Sequence, residues 1–168
     1  MTTDMLEPAH APVTTNAPVV DPAEGSAPLV ARLVTQHGAR WATATTLDAL
    51  LAMPGDQVLF FHGDPVRFPE VLDVAVVLPE LQRAAPRPFA IAVVSRADED
   101  ALARRYASTR WPALVFLRDG QYVGVIAGMH DWTDYVAQVA QMLSQPTRRV
   151  PGIGIPLVSG TPAASGCH

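Results

Sequence analysis

Residues 110–128 read RWPALVFLRDGQYVGVIAG. An apolar run, Ala113 to Leu117, leads through the polar pair Asp119-Gly120 into a second apolar run from Gln121 to Gly128. Two strand-like runs joined by Asp-Gly are the strongest short-range signal for an antiparallel hairpin, because both turn positions then take the left-handed backbone that matches strand twist. The hairpin is preceded by Trp111-Pro112. A residue before proline is pushed toward extended backbone, so the Trp-Pro pair reads as the lead-in to the first strand.

Upstream of the hairpin the pattern alternates. PLVARLVTQHG places Leu29, Leu33 and Val34 on one helical face, with His37-Gly38 as a stop. RWAT, from Arg40, is short enough for an edge strand. TTLDALLAMPG reads as a helix capped by Thr45 or Thr46, with Leu47, Leu50 and Leu51 inward and Pro54-Gly55 ending it. QVLFF is a continuous apolar strand of the kind buried on both faces in a parallel sheet. An irregular stretch follows, and PELQRAA reads as a short helix beginning at Pro79. FAIAVVS is a second buried strand. ADEDALARRYA is a helix with acids first and arginines last, the order that the helix dipole favours. After the hairpin, DWTDYVAQVAQML closes the pattern as an amphipathic helix with Trp132, Tyr135, Val136, Val139 and Leu143 facing in.

Strands separated by helices build a parallel sheet, and a terminal hairpin adds antiparallel strands at one edge. That is the layout of a thioredoxin-like α/β/α sandwich with a mixed central sheet. Pro112 falls where that fold carries its cis-proline. In a redox thioredoxin the strand equivalent to VLFF opens into a Cys-x-x-Cys, whose thiolate is the nucleophile. Here the same place reads HGDPVRFPE, residues 62–70, without cysteine, serine or threonine. Thiol exchange is excluded at this position. The chain's one cysteine, Cys167, lies next to the last residue and behind several helix breakers.

Composition narrows the function classes. The chain has 168 residues, 49% hydrophobic, with a net charge of −4, which fits one domain with tails. Its twelve basic residues are all arginine and are scattered, so there is no basic stripe for nucleic acid. No apolar run approaches the ~20 residues of a membrane span, and the first 25 residues lack the basic-then-apolar order of a secretory signal. The expected location is cytoplasmic. Residues 1–27, rich in Pro, Ala and Thr, are expected to form a disordered tail, residues 28–145 the folded domain, and residues 146–168 a flexible Pro/Gly-rich tail. The five histidines, His10, His37, His62, His130 and His168, show no ligand spacing, so neither a metal nor another cofactor is expected.

Three motifs, DPVRFPEVLD (64–73), RWPALVF (110–116) and YVGVIAGMHDW (122–132), occur in the order found in the HyaE/HupG family, also called HoxO, and the chain resembles that family from about Leu29 to Leu143. The resemblance implies a non-enzymatic thioredoxin-like accessory protein in the maturation of membrane-bound NiFe hydrogenase. It implies binding to the small-subunit precursor through its twin-arginine signal peptide before export. Two other roles compete with it, a fixed structural subunit of an assembly complex and a residual thiol oxidoreductase using Cys167.

A twin-arginine signal has a cationic start and an apolar middle, so its partner needs acids beside apolar groups. Asp64, Glu70, Asp73 and Glu80 set four acids against Arg67 across residues 64–80, with Phe68, Val71 and Trp111 as apolar candidates. The partner-binding set expected is Asp64, Arg67, Glu70, Asp73, Trp111 and Pro112, where backbone beside the proline pairs with an extended peptide. Acids at a helix start also compensate its dipole, Arg67 is either solvated or neutralises Asp64 and Glu70, and Trp111 is either a core ring or a lid. His130 reads as a turn histidine.

Overall fold

Residues 56–61, DQVLFF, are buried along their whole length and form the central strand of the sheet. A computed structural model describes residues 20–152. In chain order the elements are α1 (Pro28–His37), β1 (Arg40–Ala42), α2 (Leu47–Leu51), β2 (Asp56–Phe61), α3 (Glu70–Ala84), β3 (Phe89–Val94), α4 (Glu99–Arg105), β4 (Ala113–Arg118), β5 (Gln121–Ala127) and α5 (Trp132–Ser144). The five strands lie in the order β1-β3-β2-β4-β5. β1, β3 and β2 run parallel, whereas β4 pairs antiparallel with β2, and β5 with β4. The mixed sheet with an antiparallel hairpin at one edge is the layout expected from the sequence.

Alternate strand residues feed two cores. Val58, Phe60, Ile91, Val93, Leu114 and Phe116 pack with α1, α3 and α5 on one face. Leu59, Phe61, Ala92, Val94, Val115 and Leu117 pack with α2 and α4 on the other. The result is three layers. A bulge at Val123 in β5, where Phe116 pairs with Gly124 and Leu117 with Tyr122, keeps the hairpin's two faces in phase with these cores.

At the hairpin turn Asp119 and Gly120 both have positive φ, 49° and 75°, the backbone anticipated for Asp-Gly. The turn is fastened to the loop before β2: Gly55 N–H donates to Asp119 Oδ1 at 2.7 Å, and Asp119 N–H to Gly55 O at 3.0 Å. Gly38 ends α1 in the left-handed region as anticipated.

Local readings needed four corrections. The helix expected from Pro79 starts at Glu70, and Pro79 lies buried inside it. Proline there forfeits one backbone hydrogen bond and costs about 3 kcal/mol. Val71, Val74, Leu78 and Leu81 are buried to within 1% at ~1.5–3 kcal/mol each, which outweighs that cost. Val71 is therefore core and presents no surface to a partner. In α1 the most buried side chains are Val30 and Leu33, with Leu29 and Val34 at the margin. Thr46 stands at the N-cap position of α2 as expected, but its side chain makes no capping bond; its hydroxyl donates to Trp41 O and accepts from Thr43 N–H, both at 2.9 Å. Trp132 is 49% exposed rather than core.

The stretches expected as tails are partly placed. Residues 21–27 form a turn packed at the start of α1, with Ala27 buried. Beyond α5, Arg148 N–H donates to Tyr122 O at 2.7 Å and its Nε to Val123 O at 2.8 Å, so the chain runs back along β5. His10, Cys167, His168 and the remainder of both tails lie outside the described residues.

Candidate functional site

At the end of β2 the chain leaves the sheet through His62 and Gly63 and crosses to α3 by way of residues 64–69. Gly63 has φ +70°, and a Cβ on it would stand 2.8 Å from the Phe68 ring and 3.0 Å from Trp111 Cδ1. Only glycine fits between those rings. Phe68 and Trp111 stack at 5.9 Å between centroids with planes 23° apart. Gly63, Asp64, Arg67, Phe68, Arg96, Asp100 and Trp111 line a cleft of about 100 Å³.

The site residues expected from sequence divide into two groups. Asp64, Arg67 and Trp111 line the cleft, and Pro112 is buried beside it, joined to Trp111 by a cis peptide bond. Asp64 Oδ1 accepts Val66 N–H at 2.9 Å, which shapes the loop. The Arg67 guanidinium stands 5.5 Å from the Phe68 ring centroid, so Arg67 contributes a cation to the cleft wall. Glu70 and Asp73 are exposed on the first turn of α3 and are not among the cleft-lining residues. Glu80 is taken up by an ion pair with Arg83. Pro112 O also accepts Gly128 N–H at 2.7 Å, which ties the end of β5 to this site.

Trp111 is half-buried, packed in part against the core on the α2 and α4 face and in part forming a wall of the cleft. Its indole N–H is buried without a hydrogen-bond partner among the described residues. Asp64, Asp100, Arg67 and Arg96 all line the cleft, and Arg96 is already ion-paired with Glu99. The cleft's specific chemistry is a stacked ring pair bordered by charges of both signs.

Beneath the cleft lie groups that the sequence reading passed over. Glu99 was read there only as a dipole-compensating acid. It is fully buried, accepts Gly63 N–H on Oε1 at 2.7 Å, and ion-pairs with Arg96. His62 is also fully buried, with Nδ1 3.0 Å from Gly63 O and Nε2 3.1 Å from Val94 O. The Ser26 hydroxyl lies 3.4 Å from the same Nε2. Burial pushes the His62 pKa below the ordinary histidine value, against the opposing pull of the Glu99 carboxylate. His130, as anticipated, belongs to a turn: Nε2 lies 3.0 Å from Ala127 O and the ring packs edge-on to Tyr135. Among the described residues no group of three or more His, Cys, Asp or Glu could hold a metal ion, and no helix is long and apolar enough to cross a membrane.

The fold resembles that of a mutant thioredoxin from Halobacterium salinarum NRC-1, with a TM-score of 0.51 at 21% identity over 67% of this chain and 94% of that one. Similarity in sequence is closer elsewhere. The hydrogenase expression/formation protein HoxO of Cupriavidus necator is 54% identical over 143 residues, covering 84% of this chain and 88% of that protein. HoxO of Azotobacter vinelandii is 42% identical, covering 82% and 93%. Residues 29–135 match the family model described as hydrogenase-1 expression protein HyaE. With a match over most of its length, this thioredoxin-like chain belongs to the HyaE family of hydrogenase expression/formation proteins.

Proposed function

We propose that the protein is a non-catalytic, cytoplasmic chaperone of NiFe hydrogenase maturation that binds the small-subunit precursor, engaging its twin-arginine signal peptide before export. The observation that carries this reading is the cleft itself. Beside the place where a redox relative keeps two thiols, this chain has a stacked Phe68–Trp111 pair next to Pro112, the indole N–H being buried without a partner among the described residues. Such a site takes up an apolar side chain of an extended peptide and lends it backbone partners. Family membership supplies the hydrogenase context.

The charges around the cleft give orientation more than affinity. Asp64 and Asp100 attract a cationic segment, and each exposed pair is worth only ~0.2–1 kcal/mol. Burial against Phe68 and Trp111 supplies the holding energy.

Capture of the precursor by the full chain, with and without its signal peptide, is the test. Binding that depends on the signal peptide supports the reading. Equal failure to capture either form at low salt rules it out. Stoichiometric co-purification with mature hydrogenase would instead favour a fixed structural subunit, because a chaperone departs when maturation ends. Trp111→Ala is expected to abolish capture. Asp64→Ala combined with Asp100→Ala, which removes both acids of the cleft wall, is expected to weaken it and flatten its salt dependence.

A further inference from the structure

The Gly63 peptide is gripped at both ends by side chains that never see solvent. Its N–H donates to Glu99 Oε1 at 2.7 Å, and its C=O lies 3.0 Å from His62 Nδ1. Glu99 comes from the start of α4 and His62 from the end of β2, so the grip joins two elements 36 residues apart in sequence. The second Glu99 oxygen is taken by Arg96, and Arg96 is itself a wall of the cleft. The second His62 nitrogen reaches Val94 O and the Ser26 hydroxyl.

A buried carboxylate is costly unless it is paired and hydrogen-bonded. Each acceptor of Glu99 is in use, and one of them is spent on the backbone of the residue that separates Phe68 from Trp111. Gly63 leaves little slack there, since an added methyl would clash with the Phe68 ring at 2.8 Å and crowd Trp111 at 3.0 Å. Where Gly63 sits therefore decides how the rings meet.

We propose that Glu99 and His62 are positioning residues of the cleft: they fix the Gly63 peptide, and that fixed peptide sets Phe68 against Trp111. A docked side chain meets a preorganised ring pair and need not order it. The consequence for binding rests on the proposed docking role of the cleft; the clamp itself does not.

The experiment reads the free, full-length protein first. In wild type labelled with 15N and 13C, a hydrogen-bond scalar coupling is expected between the Gly63 amide nitrogen and the Glu99 carboxyl carbon; its absence would overturn the proposal. In Glu99→Leu the Gly63 amide is expected to exchange about 10- to 100-fold faster, and the Trp111 indole N–H resonance to move, while β4 amides keep their protection. A folded Glu99→Leu with Gly63 exchange and the Trp111 resonance both unchanged also overturns it. If Glu99→Leu fails to fold, the wild-type coupling decides. Precursor capture by Glu99→Leu is then expected to weaken about 10-fold. Should wild type itself capture no precursor, the docking reading fails, and the Gly63 and Trp111 measurements still decide the clamp.

Discussion

Arg118 on β4 donates its Nε–H to Asp56 Oδ1 on β2 at 2.7 Å. The Asp56 side chain is 4% exposed, and its other oxygen holds Arg87 Nε at 2.7 Å. Arg118 also donates to Leu143 O and Gln145 O at the end of α5, where helix carbonyls lack intrahelical donors. One carboxylate thus organises two arginines, and one of those arginines seats the last helix. Asp56→Ala leaves Arg118 partly buried without its counter-ion, and truncating one partner of a buried pair costs about 3–5 kcal/mol. The cost is expected near the low end of that range, because Arg87 is half exposed. A urea midpoint shift without a change in slope is the measurement.

Gly120 is held where no other residue fits. Its φ is +75°, and an added Cβ would stand 2.4 Å from Leu51 O of α2. Gly120→Ala meets about 1–2 kcal/mol from left-handed backbone alone, and the clash with a carbonyl oxygen adds to it. Thermal unfolding is expected at a clearly lower temperature than wild type. An unchanged melting temperature would mean that the turn is not seated against α2.

The hairpin was legible because its determinants are local. Asp119 and Gly120 carry their turn geometry with them, and the apolar runs around them need no distant partner to be read as strands. The alternation of buried strands and helices likewise specified the layers. The grip on Gly63 was not legible, because it joins residues 36 positions apart and nothing near Glu99 distinguishes it from a helix-start acid. The two neighbouring acids, Asp98 and Asp100, have the same local sequence and stay at least partly exposed. Pro79 misled because proline usually opens a helix, whereas here an apolar face strong enough to absorb the lost hydrogen bond carries α3 through it. Of the residues expected to bind, those adjoining Gly63 and Pro112 converge on the cleft. Glu70 and Asp73 were grouped with them by sequence proximity, but α3 carries them away from its wall.

Trp132 and Tyr135 have the same helical period, yet only one is core. Trp132 is the first residue of α5, and helical side chains lean toward the N-terminus, so its ring projects past the helix end and stays 49% exposed. Tyr135, one turn later, is 1% exposed. Trp132→Ser is expected to change stability by no more than about 0.5 kcal/mol, whereas Tyr135→Ala should cost about 3–5 kcal/mol as a buried aromatic truncation. Chemical denaturation of the two variants side by side checks the contrast. Comparable losses would place Trp132 in the core after all.

His62 gives the fold a pH dependence whose sign follows from its burial. Its folded-state pKa is lowered, chiefly by desolvation and further by the Arg96 charge, and Glu99 with the Gly63 and Val94 carbonyls only partly offsets this. The unfolded chain returns His62 to the ordinary value near 6.5. Between that value and the lower folded one, the unfolded state binds a proton that the native state refuses. Stability then rises with pH. The neutral imidazole's full contribution is present above about pH 6.5, and it is lost as the pH falls from there toward the folded-state pKa. His62→Gln removes the titration while keeping a donor and an acceptor in the pocket. Urea midpoints measured from pH 7.5 down to pH 5 should therefore fall more steeply for wild type than for His62→Gln, with the two curves separating below about pH 6.5. Parallel curves over that interval would assign the acid sensitivity to the surface carboxylates instead.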